Sequence, residues 1–186
     1  MSLVLGLDAS TSCVGICIYD SDLKKHVLLD HVSFDDDQNV WQRADKVRDR
    51  LRAIDVKIDI VGVEEIVKMF TPGASTADTI TKLARFNGLV SYISRDIFSI
   101  DPIHISCGDA RRACGLKMTS KKRDPLKRNH KHQSFDTMME LDLKLHVFPK
   151  KRATKKKPNP DYVDWAYDEV DAYIVAKAIA KKICLC

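Results

Sequence analysis

Four carboxylates stand where metal or acid–base chemistry could be built. Asp8 closes the apolar run Leu3 to Leu7, and Glu64 closes another, Ile58 to Val63. Asp168 and Asp171 lie three residues apart on an amphipathic stretch, Asp161 to Ile183. Helical geometry puts those two on one side, roughly 60° apart around the axis. They border apolar Val170, Ala172, Ile174, Val175 and Ala178. Carboxylates on the core-facing side of a helix are costly unless protonated, paired or bound to cations. Acids at two strand ends, faced by acids on a helix, make an all-oxygen cage that suits Mg²⁺ or Mn²⁺. Two such ions about 3.5–4 Å apart stabilise the attacking and leaving oxygens of a phosphodiester. Each acid alone also has a plain reading. Asp8 could be a turn residue, Glu64 and Glu65 a solvated strand end, and Asp168, Glu169 and Asp171 acids favoured by a helix dipole. Their order, in elements able to face one another, favours the chemical reading.

The elements that must position them follow from periodicity. Leu3 to Leu7 and Cys13 to Tyr19 are apolar and flank Ala9-Ser10-Thr11-Ser12, which predicts a hairpin. His26 to Phe34 follows as a third antiparallel strand. Asp35-Asp36-Asp37 then precedes a helix over 39–54, where Val40, Ala44, Val47, Leu51 and Ile54 share a face. Ile58 to Val63 is a buried strand. Thr71-Pro72-Gly73 marks a loop, and Ser75 or Thr76 can cap the next helix, which carries Ile80, Leu83, Phe86, Val90 and Ile93. Gly88 within that helix suggests close approach of another backbone. Pro102 to Ser106 is a fifth strand, Gly108 to Cys114 a short helix, and Phe135 to Leu145 a further one. The order predicts an α/β fold with a mixed five-stranded sheet, three antiparallel strands and then two parallel ones, and helices on both faces.

Residues 1–186 read as a single domain with a basic insertion around 116–133 and a basic linker over 149–160. Net charge is only +5, but Arg111 to Lys157 holds sixteen Lys/Arg against four acids. That asymmetry is the footprint expected for a polyanion partner, against the plainer reading of a solvated loop. No run of eighteen uncharged apolar residues exists, so no membrane span is expected. The six cysteines, Cys13, Cys17, Cys107, Cys114, Cys184 and Cys186, sit in a long chain whose start reads as a strand and not as a leader. Reduced, mostly buried thiols in a reducing, intracellular setting are therefore expected, and not disulfides. A metal at the Cys184/Cys186 pair or at His130/His132 is the weaker reading of those spacings.

At its acids the chain resembles the RuvC-type Holliday-junction resolvases of the RNase H-like superfamily. Leu5-Gly6-Leu7-Asp8-Ala9-Ser10-Thr11, with Gly15 beyond it, is similar to the family's opening strand and aspartate. Ile60-Val61-Gly62-Val63-Glu64 resembles its second strand and glutamate, and Asp168-Glu169-Val170-Asp171-Ala172 its C-terminal D-x-x-D-A helix. Ala84-Arg85-Phe86-Asn87-Gly88 is similar to the family's helix after the second acid. The longer basic segments resemble viral, phage or organellar relatives more than cellular bacterial ones. The resemblance implies catalytic metal ligands at Asp8, Glu64, Asp168 and Asp171, Mg²⁺ with Mn²⁺ able to substitute, a homodimer, and paired symmetric nicks in a four-way DNA junction. It implies a lysine near the site, for which Lys117, Lys121 and Lys122 are candidates, and a stacking aromatic, for which Phe70 is the candidate. Phosphate contacts are expected from Arg111, Arg112, Lys117, Lys121, Lys122, Arg123, Lys127 and Arg128.

Three other readings compete. Asp8 to Ser12 with Gly15 also resembles the first phosphate loop of sugar kinases and actin-like ATPases, but seven scattered glycines and a short chain leave no second phosphate motif and no nucleotide cofactor. A nuclease acting on RNA–DNA hybrids or flaps would use the same four acids. A non-catalytic nucleic-acid-binding module would not need them all.

Overall fold

The computed structural model describes residues 2–66, 77–152 and 161–183. Strands β1 (Leu3–Ala9) and β2 (Cys13–Asp20) form the expected hairpin, and β3 (Lys25–Ser33) pairs antiparallel with β2. β4 (Ile60–Glu65) adds parallel to β1, and β5 (Ile103–Ser106) parallel to β4, so the sheet runs β3-β2-β1-β4-β5. This is the mixed sheet expected from the sequence. β1 and β2 are buried along their whole length, as central strands covered on both faces must be.

The two faces sort by the period-2 alternation of the strands. Leu3, Leu5, Leu7 and Ala9 of β1 and Val61 and Val63 of β4 pack with α1 (Val40–Arg52) and α2 (Ala77–Phe98) through Val47, Leu51, Phe86, Val90 and Ile93. Val4 of β1 and Cys17 and Tyr19 of β2 face the other layer, which is built on α5 (Asp164–Ile183) with α3 (Cys107–Ala113) and α4 (His130–Leu141). Asp8 and Glu64 share parity with Val4 and Ile60, so both project toward α5.

α5 lies unusually close to the sheet because glycines clear its path. A Cβ on Gly6 would overlap the carbonyl of Ala172, one on Gly15 the carbonyl of Asp168, and one on Gly62 the side chain of Ile179. The close approach expected at Gly88 is absent: no heavy atom lies within 4 Å of where its Cβ would stand. Gly88 is exposed on α2, and the strand glycines, not the helical one, mark the tight contact.

α1 is capped by Asn39, whose side chain accepts from the Trp41 and Gln42 amides while Gln42 returns a bond to Asn39. The aspartates Asp35 to Asp37 precede this helix, as expected, and Asn39 with Gln42 forms its capping box. α4 starts five residues earlier than expected and ends at Leu141, because Asn129 caps it at the His132 amide. That brings Lys131 and Gln133 into a helix. The insertion before it is less open than its composition suggests. Leu116, Asp124 and Gln133 are buried, and Gln133 bonds both Thr119 and the Arg128 carbonyl. The expected caps Ser75 and Thr76, the aromatic Phe70, most of the 149–160 linker and the Cys184/Cys186 pair lie outside the described residues.

Candidate active site

Asp8 at the end of β1 and Glu64 near the end of β4 meet Asp168 and Asp171, from the second and third turns of α5, in one cavity of about 320 Å³. All four sequence-expected ligands line it. Asn87 of α2 donates to the Glu64 backbone carbonyl at 2.9 Å and fixes that strand end. Ser10 Oγ donates to the Cys13 carbonyl at 2.9 Å and lies 3.4 Å from Asp168 Oδ2.

Two cations share the cavity. Lys131 Nζ pairs with Asp168 and lies 3.9 Å from Asp171 Oδ2. Arg111 Nη2 donates to Asp171 Oδ1 at 3.2 Å. Asp8 is 8% exposed, and its carboxyl group has neither hydrogen bond nor ion pair among the described residues. Four carboxylates against two cations leave the cluster short of positive charge.

The titration behaviour reflects this. Burial, then repulsion from Glu64, Asp171 and Asp168, pushes the Asp8 carboxyl well above its ordinary range. Burial and Asp171 push Glu64 up to about 7, against the pull of Arg111, Lys131 and a hydrogen bond from the Cys107 thiol. Asp171 is raised chiefly by burial, with Lys131 and Arg111 opposing. For Lys131 burial works downward, but Asp168, Asp171 and Asp8 outweigh it and hold the ammonium above its ordinary value. The raised values thus come first from burial and then, for Asp8 and Glu64, from the neighbouring carboxylates.

The first turns of α5 are clamped to the edge strand. Glu169 is buried and sits 2.7 Å from His31 Nδ1, and the His31 ring stacks on Trp165 with centroids 4.0 Å apart. Asp30 beside them is held by Arg50 at 2.5 Å. Ligand-type atoms of Asp30, His31 and Glu169 come within 4.8 Å of one another. Asp30 pairs with Arg50 of α1, and the His31–Glu169 pair ties β3 to the helix that carries Asp168 and Asp171.

The expected DNA contacts divide into groups. Lys117, Lys121, Lys122, Arg123 and Lys127 are exposed. Arg112 is exposed and pairs with Asp109 at 2.5 Å. Arg128 is tied to Asp124 at 3.0 Å and Asp136 at 2.7 Å, which makes it a brace for the insertion. Arg111 is drawn off the surface into the acid cluster, with its side chain 12% exposed. The lysine at the acids is Lys131, and not Lys117, Lys121 or Lys122. Its sequence signal was its place one residue into a helix after Asn129, which could be read only once α4's start was known. Cys13, Cys17 and Cys114 are buried free thiols and Cys107 is half-buried. His132 stands 2.8 Å from Asn129 and packs on Tyr167.

No protein-family model matches the chain, and no curated protein matches its sequence. Solved structures do. Thermus thermophilus RuvC in complex with a Holliday junction substrate superposes with a TM-score of 0.63 at 13% identity, covering 100% of this chain and 96% of that one. A second structure of Thermus thermophilus RuvC gives a TM-score of 0.60 at 12% identity, covering 98% and 96%. The chain therefore has the RuvC-type, RNase H-like fold.

Proposed function

We propose that this chain is a divalent-metal-dependent endonuclease that resolves four-way DNA junctions by paired, symmetric phosphodiester hydrolysis. The observation that carries the reading is the convergence of Asp8, Glu64, Asp168 and Asp171 in one cavity, with the buried Asp8 carboxylate left without a partner among the described residues. The donor set fits Mg²⁺ or Mn²⁺: hard oxygens, a deficit of positive charge, and carboxyls that burial and mutual repulsion raise. Those four residues would hold the metal, which when bound polarises the phosphate and makes water a nucleophile near neutral pH.

The remaining chemistry belongs to the chain. Lys131 and Arg111 place positive charge beside the acids, where a pentacoordinate phosphorus would develop negative charge. Asn87 fixes the Glu64 strand end, and the Ser10 hydroxyl stands beside Asp168. The exposed Lys117, Lys121, Lys122, Arg123 and Lys127 supply phosphate contacts that fix register without reading sequence. A junction substrate is supported by the likeness to a RuvC structure that holds one. A two-fold junction calls for a two-fold protein, so the active form is a homodimer.

The test is cleavage of a labelled four-way junction beside linear duplex, flap and RNA–DNA hybrid, with Mg²⁺, Mn²⁺ or chelator. Metal-dependent symmetric nicks on the junction alone are expected. Preferential cutting of hybrid or flap would keep the metal site and reject the substrate. No cutting of any would reject the enzyme.

A further inference from the structure

A second cavity, of about 440 Å³, opens between the start of α1 and the first half of α2. Gln38, Val40, Arg43, Lys82, Arg85 and Phe86 line it, and Thr11 borders both this cavity and the acid one. The two therefore adjoin at the β1–β2 turn. Three cations face this cleft, and no acid lines it among the described residues. None of the three was among the phosphate contacts expected from sequence, which all fall between Arg111 and Arg128.

Arg43 is held in place by neutral groups. Its Nη1 donates to the Thr11 carbonyl at 2.6 Å and its Nη2 to the Asp35 carbonyl at 3.3 Å, and the guanidinium lies 5.6 Å from the Phe34 ring centre. Its charge thus has no carboxylate partner among these contacts. Its buried Nε has no acceptor at all among the described residues. The guanidinium lines the cleft with its charge balanced only by carbonyls and a ring, which leaves it available to an anion there. Lys82 pairs with Asp78 at 2.7 Å, but both ends are about 70% exposed, and such a helical pair exchanges readily for a better anion. Val40 and Phe86 add apolar surface beside the charges, as a sugar or base would need.

We propose that this cleft is a second DNA subsite, which takes a nucleotide of the strand leading into the acid cavity, its phosphate on Arg43, Lys82 and Arg85. The inference rests on the nuclease reading above. It places the acids between two basic tracks, the α1–α2 cleft on one side of the β1–β2 turn and the insertion before α4 on the other. A strand held on both sides has its scissile phosphate fixed between them.

The test is binding in chelator, where no cleavage occurs, read by fluorescence anisotropy on a labelled four-way junction and a ten-thymidine strand across a salt series. The double variant Lys82→Ala/Arg85→Ala changes only exposed side chains. It is expected to lose about tenfold or more in affinity at 0.1 M salt and to lower the salt slope by about two. Arg43 Nε–H is expected to shift in the nitrogen-15 spectrum of the wild-type protein when the short strand is added. Curves for the double variant that superimpose on wild type, while Lys121→Ala/Lys122→Ala/Arg123→Ala weakens binding, would overturn the subsite and leave the nuclease intact. A cleft that binds an acidic peptide but shows no shift with the strand would also overturn it. A wild-type protein that binds neither DNA would sink the nuclease reading and the subsite together.

Discussion

Lys131 of α4 and Asp168 of α5 form an ion pair at the mouth of the acid cavity, with the same ammonium 3.9 Å from Asp171. A lysine in this position offsets part of the repulsion among four acids. Lys131→Ala is therefore expected to destabilise the metal-free protein. The Lys131 side chain is 40% exposed. The cost is accordingly discounted to about 1–2 kcal/mol, below that of a fully buried pair. Thermal melts should show a lower Tm in chelator and a larger recovery on adding Mg²⁺ than wild type shows. An equal response to Mg²⁺ in both proteins would remove Lys131 from the electrostatics of the site.

Asp8→Asn removes one proposed ligand and one buried carboxyl without touching a proposed phosphate contact. Cleavage should fall by at least about a thousandfold while junction affinity stays within about twofold. In chelator the variant should melt higher than wild type, on the order of 5 °C, because the least compensated carboxylate is gone. Joint loss of binding and cleavage, with the fold intact, would contradict this division of labour.

The raised Glu64 carboxyl sets a pH dependence. Its folded value, about 7, lies above its ordinary 4.5, so between these limits the folded state holds the proton more tightly than the unfolded one. Its contribution to stability is fully present below about pH 4.5 and is lost as pH rises through 7. In chelator, stability should therefore decline across that window, and Glu64→Gln should flatten the decline. Urea titrations at pH 5, 6, 7 and 8 measure it. A wild-type profile that rises across the window would reverse the sign and refute the assignment.

Much of this arrangement is legible in the chain. Alternation in β1 and β4 places Asp8 and Glu64 on the side of Val4 and Ile60, and the three-residue spacing of Asp168 and Asp171 puts both on one side of α5. What periodicity cannot express is distance between layers. Gly6, Gly15 and Gly62 look like ordinary strand glycines until α5 is laid across them, whereas Gly88 draws attention in a helix and touches nothing. Lys131 escaped notice for a different reason. In a run dense with Lys, Arg and His, composition hides which cation turns inward, and only the Asn129 cap decides it.

The two kinds of glycine can be told apart by experiment. Gly15→Ala should cost about 1–3 kcal/mol or more, since the new methyl meets the Asp168 backbone, and it should weaken metal binding with it. Gly88→Ala, in open space on a helix, should stabilise by roughly 0.5–1 kcal/mol. Chemical denaturation of both variants, with Mn²⁺ titration of the first, checks the pair. Loss of stability in the Gly88 variant would put a neighbour where none is described.

Neutralising Lys121, Lys122 and Arg123 should weaken junction binding and flatten its dependence on salt by about three counterions' worth. Anisotropy across a salt series reads this directly. An unchanged slope would leave these side chains as solvated charge.

Gln133 gives that basic segment a mechanical meaning. Its amide holds Thr119 near the segment's start and the Arg128 carbonyl at its end, and it stands two residues from Lys131 on the same helix. Segment and ammonium are thus joined through one short helix, α4, whose Lys131 pairs with Asp168.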